Sequence, residues 1–186
     1  NKIPEFATHH VGVGALVVNS RNEILCVREL RNNFRPWKLP GGLSDLGEDI
    51  PEAACREVLE ETGIHCTFSS IISFRHTHNM AHGRSDLYFV CKLLPTEDVD
   101  ENGSPVVPTP VACEEEIEAA AWVPMDEYKA MIHGKDGHPM MRHVMRLYEN
   151  DCEIKRTVVP SIVPGRRPSP IYGCHVDKVD DDKQEE

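Results

Sequence analysis

The sequence lacks several features that mark specialised classes of protein. None of its apolar runs approaches the ~20 residues that a membrane-spanning helix needs, so we expect no membrane partner. The chain does not open with a basic segment followed by an apolar core, which argues against a signal peptide. It also does not begin with Met, and we therefore expect a fragment of a longer protein, for which a removed targeting segment stays open.

Basic residues are scarce relative to acidic ones. The 186 residues include 20 Lys and Arg against 31 Asp and Glu, which gives a net charge of -11 at pH 7. Because proteins bind nucleic acids through Lys and Arg that displace counterions from the phosphates, we expect no nucleic-acid partner. A polyanionic small molecule would need a local basic patch or a metal ion in order to bind.

Close cysteine pairs are also missing. Seven cysteines are spread along the chain without a Cys-x-x-Cys pair, whereas structural zinc sites usually show close pairs of ligands. A free cysteine among apolar neighbours behaves as a small hydrophobic residue. We therefore expect reduced thiols and a cytoplasmic protein.

The apolar pattern predicts alternating strands and helices. Runs rich in β-branched residues predict strands at residues 11–18, 23–28, 67–76, 87–94 and 119–123. Helical periodicity predicts helices at residues 49–63, 125–133 and 139–150.

Two regions lack such periodicity. Residues 95–113 are rich in Pro, Gly and acids, and we expect a long loop there. We place one domain at residues 1–150 and a C-terminal extension at residues 151–186. The extension is expected to pack loosely on the domain and to end in a disordered acidic tail.

The segment 49–63 predicts a helix with well-marked ends. Asp49 at the N-cap and Glu52 three residues later form a capping-box pattern, and Pro51 fits the first turn. Gly63 stands where a helix end commonly requires a positive φ. At about 100° per residue, one face carries three glutamates and the opposite face is expected to pack on a sheet. The glutamates are Glu57, Glu60 and Glu61, and the packing residues are Cys55, Val58, Leu59 and Thr62.

These glutamates belong to a longer pattern that begins at Gly42. The order is five residues, Glu48, seven residues, Arg56-Glu57-Val58, one residue, Glu60-Glu61, one residue and Gly63-Ile64. At ~6% usage for each fixed position, a random window would match on the order of once in 10⁸. The pattern therefore indicates a functional site rather than a solvated charged face.

The chemistry of the pattern suits a metal-bound diphosphate. A glycine loop lets the backbone approach a pyrophosphate, and carboxylate oxygens are ligands that Mg²⁺ prefers. A divalent ion would reverse the local charge and let an acidic protein hold a polyanion. Arg56, beside the glutamates, is suited to hold a carboxylate in one rotamer through a bidentate pair.

The spacing resembles the Nudix box, and the resemblance extends over residues 6–131. The sequence is similar to one branch of the Nudix hydrolases. This branch contains plant ADP-ribose/NADH pyrophosphatases and the vertebrate protein encoded antisense to a fibroblast growth factor gene. In those proteins a smaller N-terminal domain precedes the Nudix fold, and the resemblance implies that this chain would begin near that junction. The segments that carry the resemblance outside the box are residues 11–15, 37–42, 74–76, 83–91 and 116–122.

The resemblance implies a fold, a reaction and a set of roles. The fold is an α/β/α sandwich with a central mixed sheet, and a homodimer is one implied assembly. The reaction is attack on phosphorus by a water activated by Mg²⁺ or Mn²⁺. Arg56 would orient Glu57, and a catalytic base is expected from Glu116 or Glu115. The implied metal ligands are Glu57, Glu60, Glu61 and the Gly42 carbonyl.

Residues near the box bear on the substrate. Arg28, Arg31, Arg35 and Lys38 concentrate positive charge before the glycine loop, while Phe34 and Trp37 could stack on a base. The candidate substrate-binding residues are Arg28, Arg35, Trp37, Lys38, Gly41, Gly42 and Arg84.

Three functions stay open on this basis. We favour a pyrophosphatase for a nucleoside diphosphate linked to another moiety, with ADP-ribose or NADH first, so that a small-molecule phosphate anhydride is the expected substrate. The basic residues before the glycine loop make an inositol pyrophosphate or dinucleoside polyphosphate hydrolase the alternative. A non-catalytic nucleotide-sensing module is the third, although binding alone would not require the intact glutamate set.

Overall fold

A computed structural model describes residues 7–30, 36–135, 137–161, 163, 165 and 167–174. The strands are β1 His9–Val17, β2 Glu23–Glu29, β3 Cys66–Thr77, β4 Ser85–Pro95, β5 Asp98–Val99, β6 Pro105–Val106, β7 Ile117–Pro124, β8 Lys155–Val159 and β9 Ser169–Gly173. The helices are α1 Ile50–Thr62, α2 Met125–His133 and α3 Pro139–Glu149, with a short 3-10 turn at Ala81–Gly83. Within these ranges, no helix combines the length and the apolar character needed to cross a membrane.

A mixed three-stranded sheet lies at the centre of the molecule. Its order is β1-β4-β3, with β1 parallel to β4 and β4 antiparallel to β3. Strand β2 pairs antiparallel with β7, and a bridge between Val18 and Ile24 connects the end of β1 to β2. The predicted strands and the predicted mixed sheet are confirmed.

Alternate side chains of the strands pack in two cores on opposite faces of the sheet. Val13 and Val17 of β1 pack in one core with Val58 of α1, whereas Leu16 packs in the other with Tyr128 of α2 and Val144 of α3. Successive side chains of a strand point to opposite faces, so α1 covers one face and α2 and α3 cover the other. This arrangement is the predicted α/β/α sandwich.

Helix α1 begins and ends where its sequence predicts. The backbone N–H of Asp49 donates to the Glu52 carboxylate at 3.2 Å, which is one half of the capping box. At the other end Gly63 has a φ of 69°, and its N–H donates to the Leu59 carbonyl at 2.8 Å. The helix is therefore fixed at both ends by its own residues.

The faces of α1 differ from the prediction at one position, Leu59. Leu59, expected against the sheet, is 39% exposed, whereas Glu61 is only 7% exposed. A helix packs through one stripe of its surface, and here Ala53, Val58 and Thr62 occupy that stripe. Leu59 lies outside it, so its predicted packing is wrong, and the same roll of the helix turns Glu61 inward.

Two regions contain strands where none was predicted. Residues 95–113 include the short antiparallel pair β5–β6. The C-terminal extension forms an antiparallel hairpin from β8 and β9, which is joined to β3 by backbone hydrogen bonds between Ile154 and Ile71 at 2.8 and 2.9 Å. Residues 175–186, which include the predicted acidic tail, lie outside the described residues.

Candidate active site

A glycine loop, residues 40–44, runs along the edge of β1 that faces away from β4. The N–H of Val13 donates to the Gly42 carbonyl at 2.8 Å. A Cβ at Gly41 would lie 2.1 Å from the Val13 carbonyl oxygen, and Gly41 has a φ of 149°. Any other residue at position 41 would therefore displace the loop from the strand.

The glycine loop and α1 meet at two carboxylates. The N–H of Gly41 donates to the Glu61 carboxylate at 2.8 Å. A Cβ at Gly42 would lie 2.7 Å from the carbon and both oxygens of the Glu57 carboxylate. The missing side chains at positions 41 and 42 thus allow two acidic groups to approach the backbone closely.

Arg56 connects the remaining carboxylates of the pattern. Its Nε and Nη2 atoms donate to the two oxygens of Glu48 at 2.8 and 2.9 Å. Its Nη1 atom donates to Glu57 at 2.9 Å and to Glu60 at 3.0 Å. The contact through which Arg56 is predicted to orient Glu57 is therefore present. The planar guanidinium offers several donors in a fixed geometry, which suits this shared role.

Burial and charge act differently on these carboxylates. Hydrogen bonds from Arg56 lower the pKa of Glu48. Burial raises the pKa of Glu57, against the opposing effect of Arg56. Burial also raises the pKa of Glu61, to about 7, although Lys38 and the Gly41 N–H oppose the shift. A cation placed next to Glu57 and Glu61 would favour their charged forms.

Glu48, Glu57, Glu60 and Glu61 each accept a hydrogen bond from a donor of the protein itself. Among the described residues, no group of three or more His, Cys, Asp or Glu side chains is arranged to hold a metal ion. Glu57 and Glu60 nevertheless reach one guanidinium, so both already lie beside a common positive charge. Their oxygen donors are of the type that hard divalent cations bind.

A cleft of about 1400 Å³ opens above this junction. One part of its lining, here called the acidic floor, consists of Glu57, Glu60, Glu61 and Glu116. Another part, here called the apolar wall, consists of Val11, Leu87, Phe89, Pro170 and Tyr172. The cleft therefore offers two chemically different surfaces to one ligand.

A family model described as "NUDIX domain" matches residues 8–147, which include the glycine loop and α1. The chain belongs to the Nudix family. Nudix hydrolase 2 of Arabidopsis thaliana is 43% identical over 129 residues, which cover 68% of this chain and 43% of that protein. Nucleoside diphosphate-linked moiety X motif 6 of Xenopus laevis is 51% identical over 98 residues, which cover 51% of this chain and 45% of that protein. The chain thus spans less than half the length of either relative.

Solved structures show the same Nudix fold. A bifunctional NMN adenylyltransferase/ADP ribose pyrophosphatase from Francisella tularensis, solved with AMP and a Mn ion, superposes with a TM-score of 0.57 at 21% identity. The match covers 81% of this chain and 44% of that chain. The resemblance inferred from the box, with both plant and vertebrate relatives, is confirmed.

The structure brings most of the predicted Nudix site together. The predicted residues that line the cleft are Lys38, Gly41, Gly42, Arg56, Glu57, Glu60, Glu61 and Glu116. Of the two candidate bases, Glu116 belongs to this lining and Glu115 does not. Their assigned roles stay predictions.

Three predicted substrate-binding residues are not among the described residues that line the cleft. Arg28 forms an ion pair with Glu118 at 3.0 Å, and its guanidinium lies 5.0 Å from the ring centre of Trp37. Trp37 packs against the core on the α2 and α3 face, and Arg84 follows the 3-10 turn. Arg35, with Arg31 and Phe34, lies outside the described residues.

Sequence reasoning missed the apolar wall of the Nudix cleft. Leu87 and Phe89 alternate along β4, which is a signal for one strand face, but the face becomes meaningful only through the register with β1. Pro170 and Tyr172 come from the C-terminal hairpin, beyond the matched domain. No local motif marks these residues as part of a site.

Proposed function

We propose that this Nudix domain is a metal-dependent hydrolase that cleaves the diphosphate of a nucleoside diphosphate linked to another moiety, with ADP-ribose or NADH as favoured substrates. The observation that carries the proposal is the junction of the glycine loop with α1. There Glu61 accepts from Gly41 at 2.8 Å, and Glu57 occupies the space that a Cβ at Gly42 would need. The names of the relatives, which include a nucleoside diphosphate-linked moiety motif and an ADP ribose pyrophosphatase, support this substrate class.

Nudix hydrolases generally use divalent metal ions, and the donors of this cleft fit such an ion. We assign Mg²⁺ or Mn²⁺ to the predicted ligand set, namely Glu57, Glu60, Glu61 and the Gly42 carbonyl. When bound, the ion supplies positive charge to the diphosphate and lowers the pKa of a coordinated water. The shared contact of Glu57 and Glu60 with Arg56, at 2.9 and 3.0 Å, supports a common cation at this place.

The residues of the chain would divide the remaining work. Glu116 accepts a proton from the attacking water, whose oxygen forms a bond to phosphorus while the bridging P–O bond breaks and leaves one phosphate on each product. Glu116 is favoured over Glu115 because it lines the cleft and its charge acts on Glu57. Arg56 holds Glu57 in one rotamer through the 2.9 Å bond.

The alternative substrates, an inositol pyrophosphate or a dinucleoside polyphosphate, rest on the basic residues before the glycine loop. Two of these are described, and both lie beside carboxylates: Arg28 beside Glu118, and Lys38 beside Glu29 at 2.6 Å. Their charge is therefore partly offset before a ligand arrives. This pairing favours a substrate with a single diphosphate.

Product analysis by mass spectrometry tests the proposal. The chain is incubated with ADP-ribose, NADH or an inositol pyrophosphate in Mg²⁺, Mn²⁺ or a chelator. We expect AMP and ribose 5-phosphate from ADP-ribose with either metal and none with the chelator. If the inositol pyrophosphate alone were hydrolysed, the substrate class would be inositol pyrophosphates and not nucleoside diphosphates linked to another moiety. Saturable ligand binding without any product would establish a sensing module instead.

Three further expectations from the sequence stay predictions. They are a homodimer, a cytoplasmic location, and a domain boundary at residue 150. Size-exclusion chromatography with light scattering measures the first, and limited proteolysis measures the third. Cleavage within residues 137–150 ahead of any cleavage after residue 150 would contradict the boundary.

A further inference from the structure

We propose that the apolar wall of the cleft receives the planar base of the substrate, and that Tyr172 of the C-terminal hairpin is the specificity-determining residue that stacks on it. The inference rests on the proposed function, because it assigns the part of the substrate that the acidic floor does not bind. It concerns a residue outside the matched NUDIX domain, which ends at residue 147.

The apolar wall is continuous with the acidic floor because the sheet places both on the α1 face. The parallel register of β1 and β4 sets Val11 beside Leu87 and Val13 beside Phe89. Val13 packs in the core on the α1 face, and the Val13 N–H holds the Gly42 carbonyl at 2.8 Å. A ligand whose diphosphate lies at the glycine loop can therefore extend along the same face.

The C-terminal hairpin is fixed to this face at two places. Ile154 is bonded to Ile71 of β3 through both backbone groups, at 2.8 and 2.9 Å. Arg156 donates to the carboxylate of Asp49, the N-cap of α1, at 3.0 Å. Tyr172 is paired with Arg156 across the hairpin, so it is held close to the helix that carries the glutamates.

Tyr172 lies on the inward side of β9. It is partly buried against the core on the α1 face, and Pro170 two residues earlier is also partly buried, whereas Ile171 between them is 54% exposed. Alternation along a strand sends Pro170 and Tyr172 to one side and Ile171 to the other. The side of β9 that carries the Tyr172 ring therefore faces the cleft, and the side that carries Ile171 faces away from it.

The charges of the cleft favour an uncharged planar group beside this ring. Among the described lining residues, Lys38 and Arg56 are the two that carry Lys or Arg side chains, against eight Asp or Glu. Lys38 contacts Glu29 and Arg56 contacts Glu48, so neither is left to neutralise further phosphates. A base gains stacking energy on an aromatic ring and needs no counterion.

The size of the cleft allows both groups to bind together. Its volume of about 1400 Å³ exceeds the ~300–1,000 Å³ of ordinary small-molecule sites. A nucleoside with its diphosphate therefore fits without displacement of the hairpin. Because Tyr172 lies beyond the matched domain, chains that share the acidic floor can differ at this wall.

Isothermal titration calorimetry of the full chain in Mg²⁺ tests the inference with two probes, AMP and ribose 5-phosphate, neither of which contains a diphosphate that could be cleaved. We expect wild type to bind AMP more tightly than ribose 5-phosphate, because only AMP carries a base. Tyr172→Ala should weaken AMP binding about tenfold and leave ribose 5-phosphate unchanged. Tyr172→Phe should stay within about twofold of wild type, because it keeps the ring.

Ile171→Ala is the matched control, since this side chain points away from the cleft on the same strand; its AMP affinity should equal that of wild type. Equal binding of the two probes by wild type, or an equal loss of both in Tyr172→Ala, would overturn the inference. The assay is independent of hydrolysis. If wild type binds AMP selectively but forms no product from ADP-ribose, the hydrolase proposal is wrong and the base site stands. If it forms the products but binds AMP no more tightly than ribose 5-phosphate, the base site is wrong and the hydrolase proposal stands.

Discussion

The catalytic junction and the C-terminal hairpin line the same cleft, but different interactions hold them in place. The junction is specified locally, by the glycines of residues 40–44 and by the caps of α1 at Asp49 and Gly63. The hairpin depends on contacts between distant residues, such as Arg156 with Asp49, which are 107 positions apart. The glutamates therefore sit on an element whose ends are fixed by its own residues, whereas Pro170 and Tyr172 reach the cleft only through long-range contacts of the hairpin.

The largest effect is expected at the junction itself. Glu60→Gln keeps the shape of the side chain but removes the charge, so the proposed ion loses a ligand and the transition state loses stabilisation on the order of several kcal/mol. We expect kcat for ADP-ribose to fall at least about a hundredfold, measured by release of AMP. Glu101→Gln, in the exposed turn between β5 and β6, is the control and should retain wild-type kcat. Wild-type turnover in Glu60→Gln would reject the assignment of the acidic floor.

The glycines provide the next test, on stability. Gly41→Ala forces a Cβ to within 2.1 Å of the Val13 carbonyl at a φ of 149°, and it should lower the free energy of unfolding by about 3 kcal/mol. Gly173→Ala in the hairpin meets nothing within 4 Å and should change it by less than about 0.5 kcal/mol. Urea denaturation of both variants measures the difference. Equal losses would show that the hairpin is as tightly constrained as the junction.

A smaller effect is expected where the two regions touch. The side chains of Arg156 and Asp49 are 33% and 38% exposed, and exposed ion pairs contribute ~0.2–1 kcal/mol. A double-mutant cycle with Arg156→Ala and Asp49→Asn should give a coupling energy in that range, since Asn still caps the helix. Thr157→Ala, the exposed neighbour on β8, controls for changes to the strand. A coupling energy near zero would show that the ion pair does not hold the hairpin, which would then be attached through the backbone hydrogen bonds between Ile154 and Ile71.

The smallest effect concerns pH at the base of the hairpin. Lys155 and Lys92 hold the pKa of Glu153 below its ordinary value of 4.5. A carboxylate whose pKa is lower in the folded state than in the unfolded state stabilises the fold at pH values above its unfolded-state pKa. This stabilisation is lost as the pH falls through the folded-state pKa. Wild type should therefore exceed Glu153→Gln by less than about 1 kcal/mol at pH 6 and lose that advantage as the pH falls below 4.5. Thermal melts of both proteins across this range measure it, and a difference independent of pH would contradict the ion pairs.

The parts of the site that the sequence predicted are those with local chemical signals. Asp49, Glu52 and Gly63 mark the ends of α1 because caps require particular side chains or a positive φ. The roll of the helix is set by its packing on the sheet, so the sequence placed Leu59 wrongly, whereas Glu61 lines the cleft with Glu57 and Glu60. Helical periodicity groups residues on one face of a helix, but it does not determine which face packs against the rest of the protein.

The apolar wall was out of reach for a different reason. Val11 and Leu87 become neighbours through a parallel pairing, and parallel strands are joined by long connections that leave no short-range trace of register. Tyr172 reaches the cleft through a hairpin that is joined to the sheet by bonds between Ile154, just before β8, and Ile71, which lies far away in the chain. Glu116 and Glu115 are adjacent in one turn, and the conformation of that turn decides which of them faces the cleft.

The glycine loop also protects the molecule from other chains. A strand edge with open N–H and C=O groups is a template for pairing with a second molecule, and the bond from Val13 to Gly42 covers that edge of β1. A substitution that displaces the glycine loop would therefore expose the backbone edge of β1 and also disrupt the cleft. Substitutions that move residues 40–42 away from β1 should therefore increase self-association as well as reduce activity.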